Sequence, residues 1–154
     1  MEIKIKDTLG IDLGKTIVHR VNGIQVLLPD ADRVIRRLVS EKFGERVHII
    51  SRVTPEQQVR AEAWLRSTRF LQSVGIATDH LHFCAERRDK APICHRLGIT
   101  HFIDDRPEVM SHMPFVPHRF LFQANHEDVE KWQTNLSNTV RVESWIDIER
   151  HLFG

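Results

Sequence analysis

Leu9-Gly10-Ile11-Asp12-Leu13-Gly14-Lys15-Thr16-Ile17-Val18 is the stretch on which the reading of this chain turns. Its apolar start is too short for a helix and reads as a buried strand that stops on Asp12. A carboxylate directly after an apolar strand and before a glycine is an unusual place for a residue that only serves solubility. Just downstream, Val21-Asn22-Gly23-Ile24 carries the Asn-Gly pair that closes two-residue hairpins, between two β-rich runs. The segment therefore predicts a strand, an acidic strand end and a small β-flap.

Outward from that point the hydrophobic period alternates. Residues 32–43 place Val34, Ile35, Leu38 and Val39 on one helical face, with Gly44 as the stop. Residues 46–50 form the next strand, ending at Ser51. Thr54-Pro55-Glu56-Gln57 then reads as an N-cap, a proline at the first helical position and a first turn, opening a helix that runs to about Ser73. The second half repeats the pattern: a strand at 81–84, a helix at 90–97 stopped by Gly98, and a strand at 100–103 ending in Asp104-Asp105. A short helix at 107–112, a strand at 119–122, a helix at 126–132, a strand at 139–142 and a last helix at 145–152 follow. Strands alternating with helices of this size imply right-handed crossovers and a parallel sheet covered on both faces. The expected architecture is a three-layer, Rossmann-like α/β domain spanning residues 1–154.

Composition narrows the partners. With 154 residues, 41% of them apolar, the chain can bury one proper core and is too short for two ordinary domains. Twenty-two Lys and Arg nearly cancel 21 Asp and Glu, so the net field gives no footprint for nucleic acid. No apolar run approaches the roughly 20 residues of a membrane span, and Met1-Glu2-Ile3-Lys4 lacks the apolar stretch of a secretory signal. Cys84 and Cys94 form no disulfide framework. A soluble, cytoplasmic protein is expected.

Asp12, Ser51 and Asp104 all fall at predicted strand ends, and in open α/β sheets ligands bind outside the carboxyl ends of the strands. Mg²⁺ takes oxygen ligands from one or two carboxylates, with phosphate and water completing its shell. Asp12 and Asp104 would supply these and Asp105 an outer-sphere one. Two or three converging acids repel one another unless a cation lies between them. Lys90 would offset that charge and hold phosphoryl oxygens, with the Ser51 hydroxyl and nearby backbone N–H groups on another oxygen.

These residues resemble the haloacid dehalogenase (HAD) superfamily over most of the chain. Gly10-Ile11-Asp12-Leu13-Gly14-Lys15-Thr16 is similar to its first motif, a strand followed by Asp-x-Asp-x-Thr, and Val47-His48-Ile49-Ile50-Ser51 to its second. Asp89-Lys90-Ala91-Pro92 is similar to the third, and His101-Phe102-Ile103-Asp104-Asp105 to the acidic fourth. The resemblance implies a Mg²⁺-dependent phosphomonoesterase in which Asp12 forms an aspartyl-phosphate. Gly14, Lys15, Thr16, Ser51, Arg52 and Lys90 would surround the phosphate, and the metal would sit on Asp12, Asp104, Asp105 and the carbonyl of Gly14. Neither usual insertion point, between Thr16 and Val47 or between Ser51 and Lys90, has room for a cap domain. An open site of that kind points to a phosphorylated, large substrate, with self-association left open.

One position departs from the pattern. The family's phosphatases carry a second Asp two residues after the nucleophile to protonate the leaving group, and here that residue is Gly14. Loss of a general acid typically costs about 10² to 10⁴ in rate. The acid then comes from elsewhere, His19 or the substrate, or the domain is a phosphate-binding or protein-interaction module without catalysis. Competing motifs fit less well. Gly14-Lys15-Thr16 lacks the glycine five residues upstream that a P-loop needs, since Leu9 stands there. The hairpin resembles the phosphate loop of actin-like ATPases, but that fold needs over twice this length. His80, His82 and Cys84 alternate as on one strand face and would offer Zn²⁺ three ligands without an evident fourth. Arg87-Arg88 reads as a solvated helix start, and Trp64, Phe70 and the aromatics of 115–122 as packing.

Overall fold

The computed structural model describes residues 6–154. Six strands form the central sheet: β1 (Leu9–Ile11), β4 (Val47–Arg52), β5 (Leu81–Cys84), β6 (His101–Asp104), β7 (His118–Phe122) and β8 (Thr139–Val142). Their order is β5-β4-β1-β6-β7-β8, and every neighbouring pair is parallel. The remaining two strands, β2 (Val18–Val21) and β3 (Ile24–Leu27), pair antiparallel as a separate hairpin. Its two-residue turn has both central residues at positive φ, Asn22 at 51° and Gly23 at 78°, the combination that matches strand twist and favours Asn-Gly.

Parallel strands require crossovers, and helices supply them: α1 (Ala31–Leu38), α2 (Pro55–Thr68), α3 (Phe70–Val74), α4 (Lys90–Leu97), α5 (Pro107–Ser111), α6 (His126–Trp132) and α7 (Trp145–Phe153). The alternation of side chains along each strand divides the core in two. Ile49, Ile103, Phe120 and Phe122 face one layer, where they pack with α1, α2, α3 and α7 residues such as Val34, Leu65, Leu71 and Trp145. Ile50, Phe102 and Leu121 face the other, against Cys94, Val109 and Met110 of α4 and α5, with Val129 of α6 packed alongside. This is the three-layer, Rossmann-like α/β arrangement expected.

Local signals placed most boundaries, and two helices differ. Thr54 accepts from Gln57 N at 3.2 Å while Gln57 Oε1 accepts from Thr54 N at 2.9 Å, a complete capping box before Pro55. The helix expected to run to about Ser73 is instead broken at Arg69, whose φ is 54°. The break re-aims the chain so that Phe70, Leu71 and Val74 of α3 all reach the core, whereas the longer α2 buries only Ala61 and Leu65. The helix expected over 32–43 is α-helical to Leu38 and closes in a π-helical turn, Val39–Phe43, which carries Phe43 into the core. Among the described residues no helix is long and apolar enough to cross a membrane.

Candidate functional site

From β1 the chain moves to β4 and β5 on one side of the sheet and then to β6, β7 and β8 on the other. The reversal opens a crevice outside the carboxyl end of β1, flanked by the ends of β4 and β6. Asp12 follows β1 directly, Ser51 and Arg52 end β4, Asp104 ends β6, and Lys90 is the first residue of α4.

The backbone fixes these groups before the side chains meet. Asp12 N donates to Ile103 O at 2.9 Å, tying the strand end to β6. The loop beyond it is turned by bonds from Ile17 N and Val18 N to Leu13 O, at 2.9 and 3.1 Å. Trp145 Nε1 anchors the same loop from α7 by donating to Thr16 O at 2.8 Å. Lys90 Nζ then reaches both Asp12 Oδ1 at 2.8 Å and Asp104 Oδ2 at 2.7 Å. The second oxygen of Asp12 accepts from Thr16 Oγ1 at 3.3 Å, and that of Asp104 from Arg106 N at 2.9 Å. Asp104 thus serves both the ion pair and the backbone leading into α5.

Asp12, Asp104 and Asp105 each offer a carboxylate oxygen, and these atoms lie within 4.8 Å of one another. Burial pushes the Asp104 carboxyl above its ordinary range, and repulsion from Asp12 adds to this while Lys90 opposes it. Asp105 is raised further, by burial and by the neighbouring Asp12 and Asp104 carboxylates. Burial alone would lower Lys90, but Asp104 and Asp12 hold its ammonium above the usual lysine range. One lysine facing three acids leaves the cluster short of positive charge, and an all-oxygen donor set of this size fits a hard divalent cation such as Mg²⁺.

The cluster forms the floor of a cavity of about 560 Å³. Of the residues expected there, Asp12, Gly14, Lys15, Ser51, Arg52, Lys90 and Asp105 line it. Thr16 and Asp104 are fully buried beneath it, and Thr16 acts by holding Asp12 rather than by facing the cavity. The walls hold residues that no local signal marked: Arg20 and Gln25 on the hairpin, Gln57 and Arg60 on α2, and Arg106. His19, which the sequence offers as an alternative acid, lines the cavity as well.

The His80, His82 and Cys84 set does not assemble. His80 Nδ1 lies 3.0 Å from Val47 O, His82 Nε2 pairs with His48 Nδ1 at 3.0 Å, and Cys84 Sγ donates to Glu86 O at 3.5 Å. Among the described residues the three aspartates are the one His, Cys, Asp or Glu group with the spacing of a metal site. Both cysteines are free thiols, and burial pushes the Cys94 thiol, under Lys90, up to about 12. No family model matches the chain, and no curated protein matches it.

Proposed function

We propose that the site is that of a Mg²⁺-dependent phosphomonoesterase of the HAD type, working through an aspartyl-phosphate on Asp12. The observation that carries the reading is the bridging of Asp12 and Asp104 by Lys90, with Asp105 beside them, at the sheet's switch point and on the floor of an open cavity. Asp12, the Asp104-Asp105 pair and Lys90 come from three separate chain segments and have no packing reason to converge there, and buried charge is costly unless used.

In this reading an Asp12 oxygen attacks phosphorus and the bond to the substrate oxygen breaks. The departing oxygen takes a proton from His19, from water or from the substrate itself. Water then attacks the phosphoryl group on Asp12, releasing inorganic phosphate and restoring the carboxylate. Lys90 and Ser51 hold phosphoryl oxygens, and Thr16 keeps Asp12 in position. Mg²⁺, held by Asp12, Asp104 and the Gly14 carbonyl with Asp105 behind, would neutralise the charge that develops on the phosphoryl oxygens. The β2–β3 hairpin is the flap of this arrangement. In this reading the site is uncapped, which the short span from Ser51 to Lys90, holding α2, α3, β5 and short connections, supports.

A second reading, a phosphate-binding module without turnover, rests on Gly14 alone. Hydrolysis of p-nitrophenyl phosphate and a panel of phosphomonoesters, with and without Mg²⁺, in wild type and Asp12→Asn separates the two. Mg²⁺-dependent turnover that disappears in the variant supports the enzyme. A folded, Mg²⁺-binding wild type with no phosphate release above the variant's would sink it in favour of the module.

A further inference from the structure

The near-neutral whole molecule hides a cavity of one sign. Seven Lys and Arg side chains line it against two carboxylates, Asp12 and Asp105, in a chain whose totals are 22 and 21. Lys90 is used by Asp12 and Asp104, and Arg87 by Glu108 at 3.2 Å. Arg20, Arg52, Arg60 and Arg106 form no ion pair among the described residues. Two of the four are held in place by backbone: Arg20 Nη2 donates to Gly23 O at 2.8 Å and Arg52 Nε to Ala85 O at 3.2 Å. They come from the hairpin, the end of β4, the middle of α2 and the loop after β6, so they face the cavity from several walls. Like charges gathered around one concavity repel each other, and an anion that enters is bound by all of them.

The geometry points to a small phosphomonoester bearing at least one further phosphate, of the sugar or polyol bisphosphate class, as the substrate. Here the reacting phosphate sits over Asp12 and the second is held by the arginine rim. The assignment rests on the phosphatase reading for the reacting end only. The volume, about 560 Å³, lies in the range of small-molecule sites and favours a small substrate over the large one expected of an open site. No Phe or Trp lines the cavity, so the broad aromatic face on which nucleobases and single strands stack is missing, and His19 is the one aromatic ring in the lining. Leu13, Val18, Val53, Ala61 and Val109 supply instead a modest apolar surface for a carbon skeleton.

Isothermal titration of the full chain, as wild type without Mg²⁺ and as Asp12→Asn with it, tests this with fructose 1,6-bisphosphate and fructose 6-phosphate, which differ by one phosphate. The bisphosphate is expected to bind about tenfold more tightly, with the advantage shrinking as salt rises from about 0.05 to about 0.25 M. Arg20→Ala with Arg60→Ala, both exposed residues, should bring the ratio of the two dissociation constants close to one in a chain whose urea unfolding stays cooperative. Equal binding of the two probes by the unaltered arginine rim overturns the inference while leaving the phosphatase reading standing. A bisphosphate preference in a chain that releases no phosphate with Mg²⁺ supports the rim and overturns the phosphatase reading. Tighter binding of a 5′-phosphorylated oligonucleotide than of fructose 1,6-bisphosphate overturns the small-molecule assignment.

Discussion

Lys90 Nζ sits 2.8 Å from Asp12 Oδ1, and the pair is almost sealed from water, with 3% and 9% of the two side chains exposed. The same nitrogen reaches Asp104, so a single cation holds together the ends of β1 and β6. Removing one partner of a buried pair leaves the other uncompensated, at a cost of about 3 kcal/mol. Lys90→Met should therefore lower the unfolding free energy in EDTA by that order, read as a lower urea midpoint. Added Mg²⁺ should then restore more stability to the variant than it adds to wild type, because a cation bound only by the folded state stabilises it by mass action. Urea titrations of both chains with and without Mg²⁺ check this. Unchanged midpoints in EDTA would mean that the aspartates are not charged in the folded protein.

Gly14 has nothing within 4 Å of where a Cβ would stand, and its φ is not positive, so a side chain fits there without strain. Gly14→Asp places a carboxyl two residues after Asp12, where the proposed phosphatase chemistry calls for a general acid. If the proposed chemistry operates, kcat for p-nitrophenyl phosphate in Mg²⁺ should rise, on the order of 10². His19→Ala should lower kcat in the wild-type background and lower it less in the Gly14→Asp background, where the added carboxyl can serve as the acid. A Gly14→Asp chain that folds and binds Mg²⁺ but gains no turnover would argue against an aspartyl-phosphate route.

Gly10 is needed for space rather than for backbone freedom. A Cβ there would meet Phe102 Cδ2 at 2.8 Å and Ile50 Cδ1 at 3.3 Å, inside the layer that backs the site. Gly10→Ala should destabilise the fold by about 1–3 kcal/mol through overpacking. Phe102→Leu in the same chain should recover part of that, a coupling that a double-mutant cycle in urea would read. Additive losses would show that the ring does not meet the added methyl.

His101, 5% exposed at the opposite end of β6 from Asp104, stacks on His118 at 4.3 Å and meets Phe43 edge-on. Burial pushes its pKa down to about 4, with His118 adding to the shift. A histidine held neutral when folded but charged when unfolded binds fewer protons in the native state. Its contribution is therefore complete above the unfolded pKa of about 6.5 and is lost as pH falls toward about 4. His48, lowered to about 4 by burial and by His80 and His82, acts in the same sense. The His101 contribution to the unfolding free energy should fall by on the order of 3 kcal/mol between about pH 6.5 and about pH 4, against an opposite contribution from the raised Asp104 and Asp105 carboxyls, which bind more protons in the folded state. His101→Leu should make the slope of stability against pH less positive over that range, whatever it does to stability at pH 7. An unchanged slope would place the proton uptake elsewhere.

What the chain declared by itself was local. Asn22-Gly23, the Thr54-Pro55-Gln57 cap, Gly98 after α4 and the apolar strands ending at Asp12, Ser51 and Asp104 are each decided within a few residues, by turn geometry, capping and period. Those signals sufficed to place the elements and to pick out the four strand-end and helix-start groups of the site. The break at Arg69 and the π-helical turn ending at Phe43 carried no such signal, because each is set by where the core must be filled. Only the tertiary structure brought Lys90 to Asp12, 78 residues away in sequence, and gave Thr16 to Asp12 rather than to the cavity. Most of the arginine rim was equally hidden: Arg52 was expected beside the phosphate, but Arg20, Arg60 and Arg106 are ordinary singly and vanish in a balanced net charge. The packing of the hairpin, β4, α2 and the loop after β6 gathers them around one cavity, and electrostatic attraction depends on distance in space, which the linear chain does not contain.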